Sequence, residues 1–193
     1  MSTCRLITFT SLAVLLIMPG LAAANPIKSR NTTINLKSCK VVARYQDGGA
    51  WNCAGIAGYP VYIAEGDLRE YLAFGPNARK HRAADQTLPP FNTVFNGKTN
   101  LGSIEWRLES LEGGREVPFA TIVRYSTKND EGSGQVLIVT KIADGQSCQV
   151  ARIDALANPD ALALAREVAD KEARAFDCKQ DPKSFGNTGK SPM

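Results

Sequence analysis

Histidine is all but missing from this chain: of its 193 residues, only position 81 carries an imidazole. General acid–base chemistry near neutral pH leans on histidine more than on any other side chain. His81 stands in a basic run with Arg79, Lys80 and Arg82, where it reads as a solvated loop residue. The metal patterns are absent too: there is no H-E-x-x-H pair, no calcium-binding loop, and no close cysteine pair of the kind zinc sites use. A G-x-S-x-G nucleophile elbow is lacking. Gly48, Gly49, Gly55 and Gly58 are spaced too irregularly to cradle a phosphate, so no cofactor is implied. Aromatic residues make up only 7% of the chain.

The one long apolar run lies at the N-terminus. Arg5 gives a small basic start, residues 6–18 are apolar, Pro19 and Gly20 break a helix, and Ala22, Ala23 and Ala24 fit a signal peptidase cleft. Residues 1–24 are therefore expected to be a signal peptide, and the protein to be secreted or periplasmic. Past that run no stretch is long enough to cross a bilayer, so the mature form is expected not to span a membrane. Cleavage removes Arg5 and Cys4, which takes the formal charge from +4 to +3 and leaves four of the five cysteines. In an oxidising compartment, an even set made of Cys39, Cys53, Cys148 and Cys178 predicts two disulfides rather than reactive thiols. Cys39 is matched to Cys53 because Asp47, Gly48 and Gly49 turn the chain back between them. Cys148 is matched to Cys178 because a helix folding back along the preceding strand returns its far end there.

Residues 25–35 are polar and predict a flexible leader, and residues 180–193 lack a core pattern and predict a flexible tail. Between them, residues 36–179 form one expected domain. Strands are predicted around Val41 and Val42, at 59–64, and at 104–108, 119–125, 135–142 and 147–154, the later ones joined as hairpins. Asp67 and Glu70 suit a capping box for a short helix at 68–74. The stretch 75–102 looks like a long connection. A helix is predicted from Asn158 as cap and Pro159 as first residue through Phe176, with Leu162, Ala165, Ala169, Ala173 and Phe176 on one side, widened by Ala161, Leu164 and Val168. The expected class is α+β: a curved antiparallel sheet packed against one long C-terminal helix, with two disulfides.

Candidate binding residues gather in 47–82. Trp51, Tyr59 and Tyr62 lie in or beside the cysteine-stapled, glycine-rich part, where exposed rings stack on sugars or anchor a partner. Core packing is the plainer use for them. Arg79, Lys80 and Arg82 suit an anionic surface, and residues 25–100 carry a formal +5 against −2 for 101–193. Nucleic acid is not expected, because it needs a broader basic face. Carboxylates are the remaining catalytic possibility. Glu65, Asp67 and Glu70 form one group, read chiefly as caps and solvated residues; Glu105 and Glu109 form another, read as the wet side of a strand.

The leading expectation is an exported, disulfide-stabilised, non-enzymatic interaction domain that binds an envelope or extracellular protein, a glycan or an anionic surface. A small secreted glycoside hydrolase is one alternative. It requires a cleft with two carboxyl groups about 5–9 Å apart, one of them with a raised pKa. A structural envelope component is the other.

Overall fold

A computed structural model describes residues 26–193; the expected signal peptide lies outside the described residues. The strands are β1 (Ile27–Ile34), β2 (Lys40–Tyr45), β3 (Gly48–Ile56), β4 (Tyr59–Gly66), β5 (Arg69–Phe74), β6 (Phe91–Thr93), β7 (Gly102–Ser110), β8 (Glu116–Asn129), β9 (Gly132–Ala143) and β10 (Gln146–Asp154). Helix α1 (Ala161–Glu172) follows, and a two-residue strand, β11 (Lys183–Ser184), comes last.

Two sheets form rather than one. β2, β3, β4 and β5 make a four-stranded antiparallel meander, and the other seven strands build a larger sheet in the order β1-β7-β8-β9-β10-β11, with β6 also on β8. The larger sheet is mixed, which corrects the expected purely antiparallel one: β11 runs parallel to β10, pairing Lys183 with Ala151 and Ser184 with Arg152. The helix between them supplies the crossover that a parallel pair requires.

The layers explain the sequence of β9. Val136, Ile138 and Ile142 point into a core shared with Val61, Ile63, Leu72 and Phe74 of the small sheet. Leu137 and Val139 point the opposite way, against Ala161, Ala165, Val168 and Ala169 of α1. A central strand buried on both faces reads as a continuous apolar run rather than an alternating one. At the middle of the inter-sheet core, Phe74 meets Trp106 edge to face at 5.5 Å. The indole is seated against Gly55, where a Cβ would come within 2.9 Å of its ring and 2.2 Å of the Tyr59 carbonyl oxygen.

Several local expectations fail for tertiary reasons. Residues 27–34 of the expected leader pair with β7 along their whole length, because an edge strand needs ladder hydrogen bonds more than apolar side chains. The tail is strapped down: Asp154, fully buried, accepts from the amides of Lys190 and Ser191 and from the Ser191 hydroxyl. Asn158 does not cap α1, which ends at Glu172; its side chain instead bonds the backbone of Asn187 in both directions. His81 is buried, its Nδ1 lying 3.1 Å from both the Phe74 carbonyl oxygen and Ser147 Oγ. The predicted helix at 68–74 is β5.

Both disulfides form, Cys39–Cys53 and Cys148–Cys178. The first holds the start of β2 to β3, and the second ties the chain beyond α1 to β10. Among the described residues no helix is long and apolar enough to cross a membrane.

Candidate ligand cleft

The hairpin between β4 and β5 turns through Asp67 and Leu68, which have φ of 50° and 58°. Asparagine, aspartate and glycine tolerate that region, whereas for leucine it is a genuine outlier that costs on the order of 1 kcal/mol. Leu68 is nonetheless 61% exposed, so no burial of its side chain offsets the strain. The turn is held from below. The Asn92 amide donates to the Leu68 carbonyl at 3.0 Å, and Asn92 Oδ1 accepts from the Glu70 amide at 3.0 Å. Asn92 Nδ2 donates to the carbonyls of Leu88 and Pro90. Pro89 and Pro90 lack backbone donors, and their carbonyls are both used: Arg69 Nε reaches Pro89 at 2.7 Å. The presumed open connection is thus bolted to the hairpin, with Phe91 exposed at its corner beneath the Arg69 guanidinium.

Beneath this rim is an open cleft of about 730 Å³, lined by Leu36, Leu68, Phe91 and Phe95 among apolar residues and by Glu65, Glu70, Thr127 and Lys128 among polar ones. Glu70 is 7% exposed. Its two carboxylate oxygens accept from Thr93 Oγ1 at 2.7 Å and the Val94 amide at 2.6 Å. Burial outweighs those two hydrogen bonds, and Glu65, directly opposite in the β4–β5 register, adds like charge; the Glu70 carboxyl is pushed up to about 7. Burial, with the Glu70 charge adding to it, also raises the Tyr125 phenol. Thr127, beside them on β8, is buried, and its hydroxyl has no hydrogen-bond partner among the described residues. An unsatisfied buried hydroxyl costs roughly 1–3 kcal/mol. The cleft therefore offers a carboxyl that switches between donor and acceptor near neutral pH and an apolar lip.

The residues singled out in the sequence are not brought together. Trp51 packs half-buried against the inter-sheet core. Tyr62 lies on the opposite face of the small sheet, buried with Ala50, Ala73, Ala78 and Ala83, and its phenol is raised chiefly by that burial. Arg79 and Lys80 are exposed beside it around a pocket of about 330 Å³. Tyr59 lies half-buried at the edge of a different cleft, of about 750 Å³, near Lys141 and Arg174. Arg82 is occupied with the tail: its guanidinium donates to the carbonyls of Cys178 and Gln180 and pairs with Asp181 at 2.7 Å. Glu105 and Glu109, expected on a wet face, pair with Arg166 of α1 and with Arg174 in the turn that follows it.

Thr127 and Phe91 gave no sequence signal, because each is defined by what a distant strand places beside it. Glu70 was visible only as a possible cap. No group of three or more histidines, cysteines, aspartates or glutamates suited to a metal ion occurs among the described residues. Comparison with protein-family models, curated proteins and solved structures finds no match.

Proposed function

We propose that the chain is exported and works as a disulfide-stabilised binding domain whose ligand site is the cleft around Glu70, rather than the surface of 47–82. The observation that carries this reading is the buried Glu70 carboxyl lining an open cleft whose lip is an exposed Leu68 held in a strained turn. A carboxyl destabilised by burial and an exposed apolar lip are both relieved by one event. That event is the arrival of a ligand with an apolar part and a hydrogen-bonding group. An envelope or extracellular molecule of this kind, a peptide side chain or a glycan with an apolar substituent, matches it.

Glycoside hydrolysis is the second reading, favoured by Glu65 and Glu70 lying opposite one another in one cleft with Glu70 raised. Against it, both Glu70 oxygens already accept hydrogen bonds from the protein, so the carboxyl is poorly placed to protonate a leaving group.

Native mass spectrometry of the protein recovered from its own export route tests the two readings. Binding predicts a co-purifying ligand, lost from Leu68→Asp and from Phe91→Asp while the fold persists. A ligand retained by both variants would refute the site. Cleavage of an oligosaccharide by the wild type, abolished in Glu70→Gln, would replace binding with hydrolysis.

A further inference from the structure

A separate cavity of about 620 Å³ shares no lining residue with the ligand cleft and is walled by Arg69, Arg82 and Arg152, with Asp85 and Asp181 opposing them. Two of the three guanidinium groups have carboxylate partners: Arg69 pairs with Asp67 and Arg82 with Asp181. Arg152, on β10, has none among the described residues. Its Nη2 donates to the Thr87 carbonyl at 2.9 Å and more weakly to Gln149 Oε1 at 3.4 Å. Its Nε is buried and finds no acceptor among the described residues. Burial weakens the hold of this guanidinium on its proton, and the charge of Asp181 only partly restores it.

A guanidinium carries five N–H donors in a planar fork suited to a carboxylate or phosphate. Taking one partly out of water with no carboxylate in contact is unfavourable, an arrangement that a bound anion relieves. Asp85, Asp181 and the Asp67 that pairs with Arg69 balance the three arginines, so what the cavity holds in excess is the donor capacity of Arg152 rather than net charge. One guanidinium with no carboxylate in contact matches a singly charged oxyanion better than a dianion, which would meet the repulsion of Asp85 and Asp181.

We infer that this cavity is a carboxylate-binding site, in which Arg152 holds the carboxylate of an incoming ligand while Arg69 and Arg82 form its cationic wall. The site stands independently of the ligand cleft, so failure at one leaves the other intact.

Nitrogen-15 NMR of the arginine Nε–H groups of the folded chain tests this directly. Titration with sodium acetate is expected to shift the Arg152 Nε resonance along a saturating curve with a midpoint of about 10 mM, whereas sodium chloride at matched ionic strength does not. Inorganic phosphate at pH 8 is expected to bind no more tightly. In Arg152→Gln, the acetate-dependent shift at Arg69 Nε is expected to weaken at least about tenfold. An Arg152 resonance that moves equally with chloride, or not at all, overturns the site. That result is read on the wild type and so does not depend on the variant folding. Phosphate binding about tenfold tighter than acetate overturns the monoanion assignment.

Discussion

Glu105 on β7 receives the side edge of the Arg166 guanidinium from α1, Nε at 2.7 Å and Nη2 at 3.0 Å. The pair opens a ladder. Two residues on, Arg107 grips Asp170 in the same two-pronged way, and two further on, Glu109 accepts from Arg174 at 2.8 Å. The spacing matches because two strand residues rise about 6.7 Å and four helix residues about 6.0 Å, so alternate strand positions meet every fourth helix position. Charge alternates along each element, which sets the register of α1 on the sheet where small alanines alone would let it slide.

The two ends of the first rung are unequally buried, 7% exposed for the Glu105 side chain and 43% for Arg166. Glu105→Leu takes the carboxylate from Arg166, leaves Arg107 with Asp170 alone, and is expected to cost about 3 kcal/mol. Arg166→Met leaves Glu105 with Ser29 and Arg107 and is expected to cost about 1 kcal/mol. Urea unfolding at pH 7 measures both; equal costs would show that the ladder does not act through the buried carboxylate.

Glu105 and Glu70 are expected to pull the pH dependence of stability in opposite directions. Burial opposes ionisation of Glu105, but hydrogen bonds from Arg166 and Ser29 and the charges of both arginines hold its carboxyl below the ordinary 4.5. Its contribution is present above that value and is lost as pH falls through the lowered one. Glu70 is raised from 4.5 to about 7, so the folded state keeps a proton that the unfolded chain releases. Its contribution is complete below pH 4.5 and declines as pH rises to about 7, by about 3 kcal/mol in all. Glu70→Gln, whose amide still serves Thr93 and Val94, is expected to flatten that decline and to be more stable than wild type at pH 8. Urea midpoints at pH 5 and pH 8 check it, and an unchanged slope in the variant assigns the effect elsewhere.

The two cross-links close loops of different length, with sequence separations of 14 for Cys39–Cys53 and 30 for Cys148–Cys178. Replacing either pair with serine is expected to cost about 3 kcal/mol, and the longer loop about 0.6 kcal/mol more than the shorter. Thermal unfolding of the two double variants compares them. A larger loss from the Cys39–Cys53 pair would mean that loop entropy is not the controlling factor.

Deleting residues 190–193 removes three donors from Asp154, two amides and a hydroxyl. Those hydrogen bonds, with another from the Ala157 amide, hold its carboxyl below the usual range against the cost of burial. The truncation is expected to cost about 2–4 kcal/mol, and Asp154→Asn in the full-length chain about 1–2 kcal/mol. Amide hydrogen exchange at β10 and at residues 185–189 reads the loosening. Unchanged protection would show that the strap carries no stability.

Ser29, Glu70 and His81 show why the buried polar positions, the candidate site among them, were hard to see in the chain. Each is polar, each makes sense as a solvated residue beside its sequence neighbours, and each is set by a partner far along the sequence. His81 is fixed by Ser147, Ser29 by Glu105 and Arg107, and Glu70 by Thr93 and Val94. The Asp67–Leu68 turn was equally opaque, since a two-residue hairpin is signalled by glycine or asparagine and Leu68 supplies neither.

What the sequence determined by itself was local: apolar runs at 59–64, 104–108 and 135–142 that favoured strands, a C-terminal helix with one alanine-rich side, and an even set of four cysteines for which 39 with 53 and 148 with 178 was the favoured of three pairings, the one the structure forms. The shortage of histidine and of catalytic motifs also follows from the sequence alone. Only the tertiary structure decided that the strands divide between two sheets, that β11 returns parallel to β10, and that the leader and tail join the fold. It also decided that the polar cleft belongs to Glu70 and Thr127. The physical reason is that strand formation follows from side-chain pattern within a few residues. Pairing order, burial of polar groups and the shape of a cleft depend on energies shared between segments dozens of residues apart, and no local pattern encodes them.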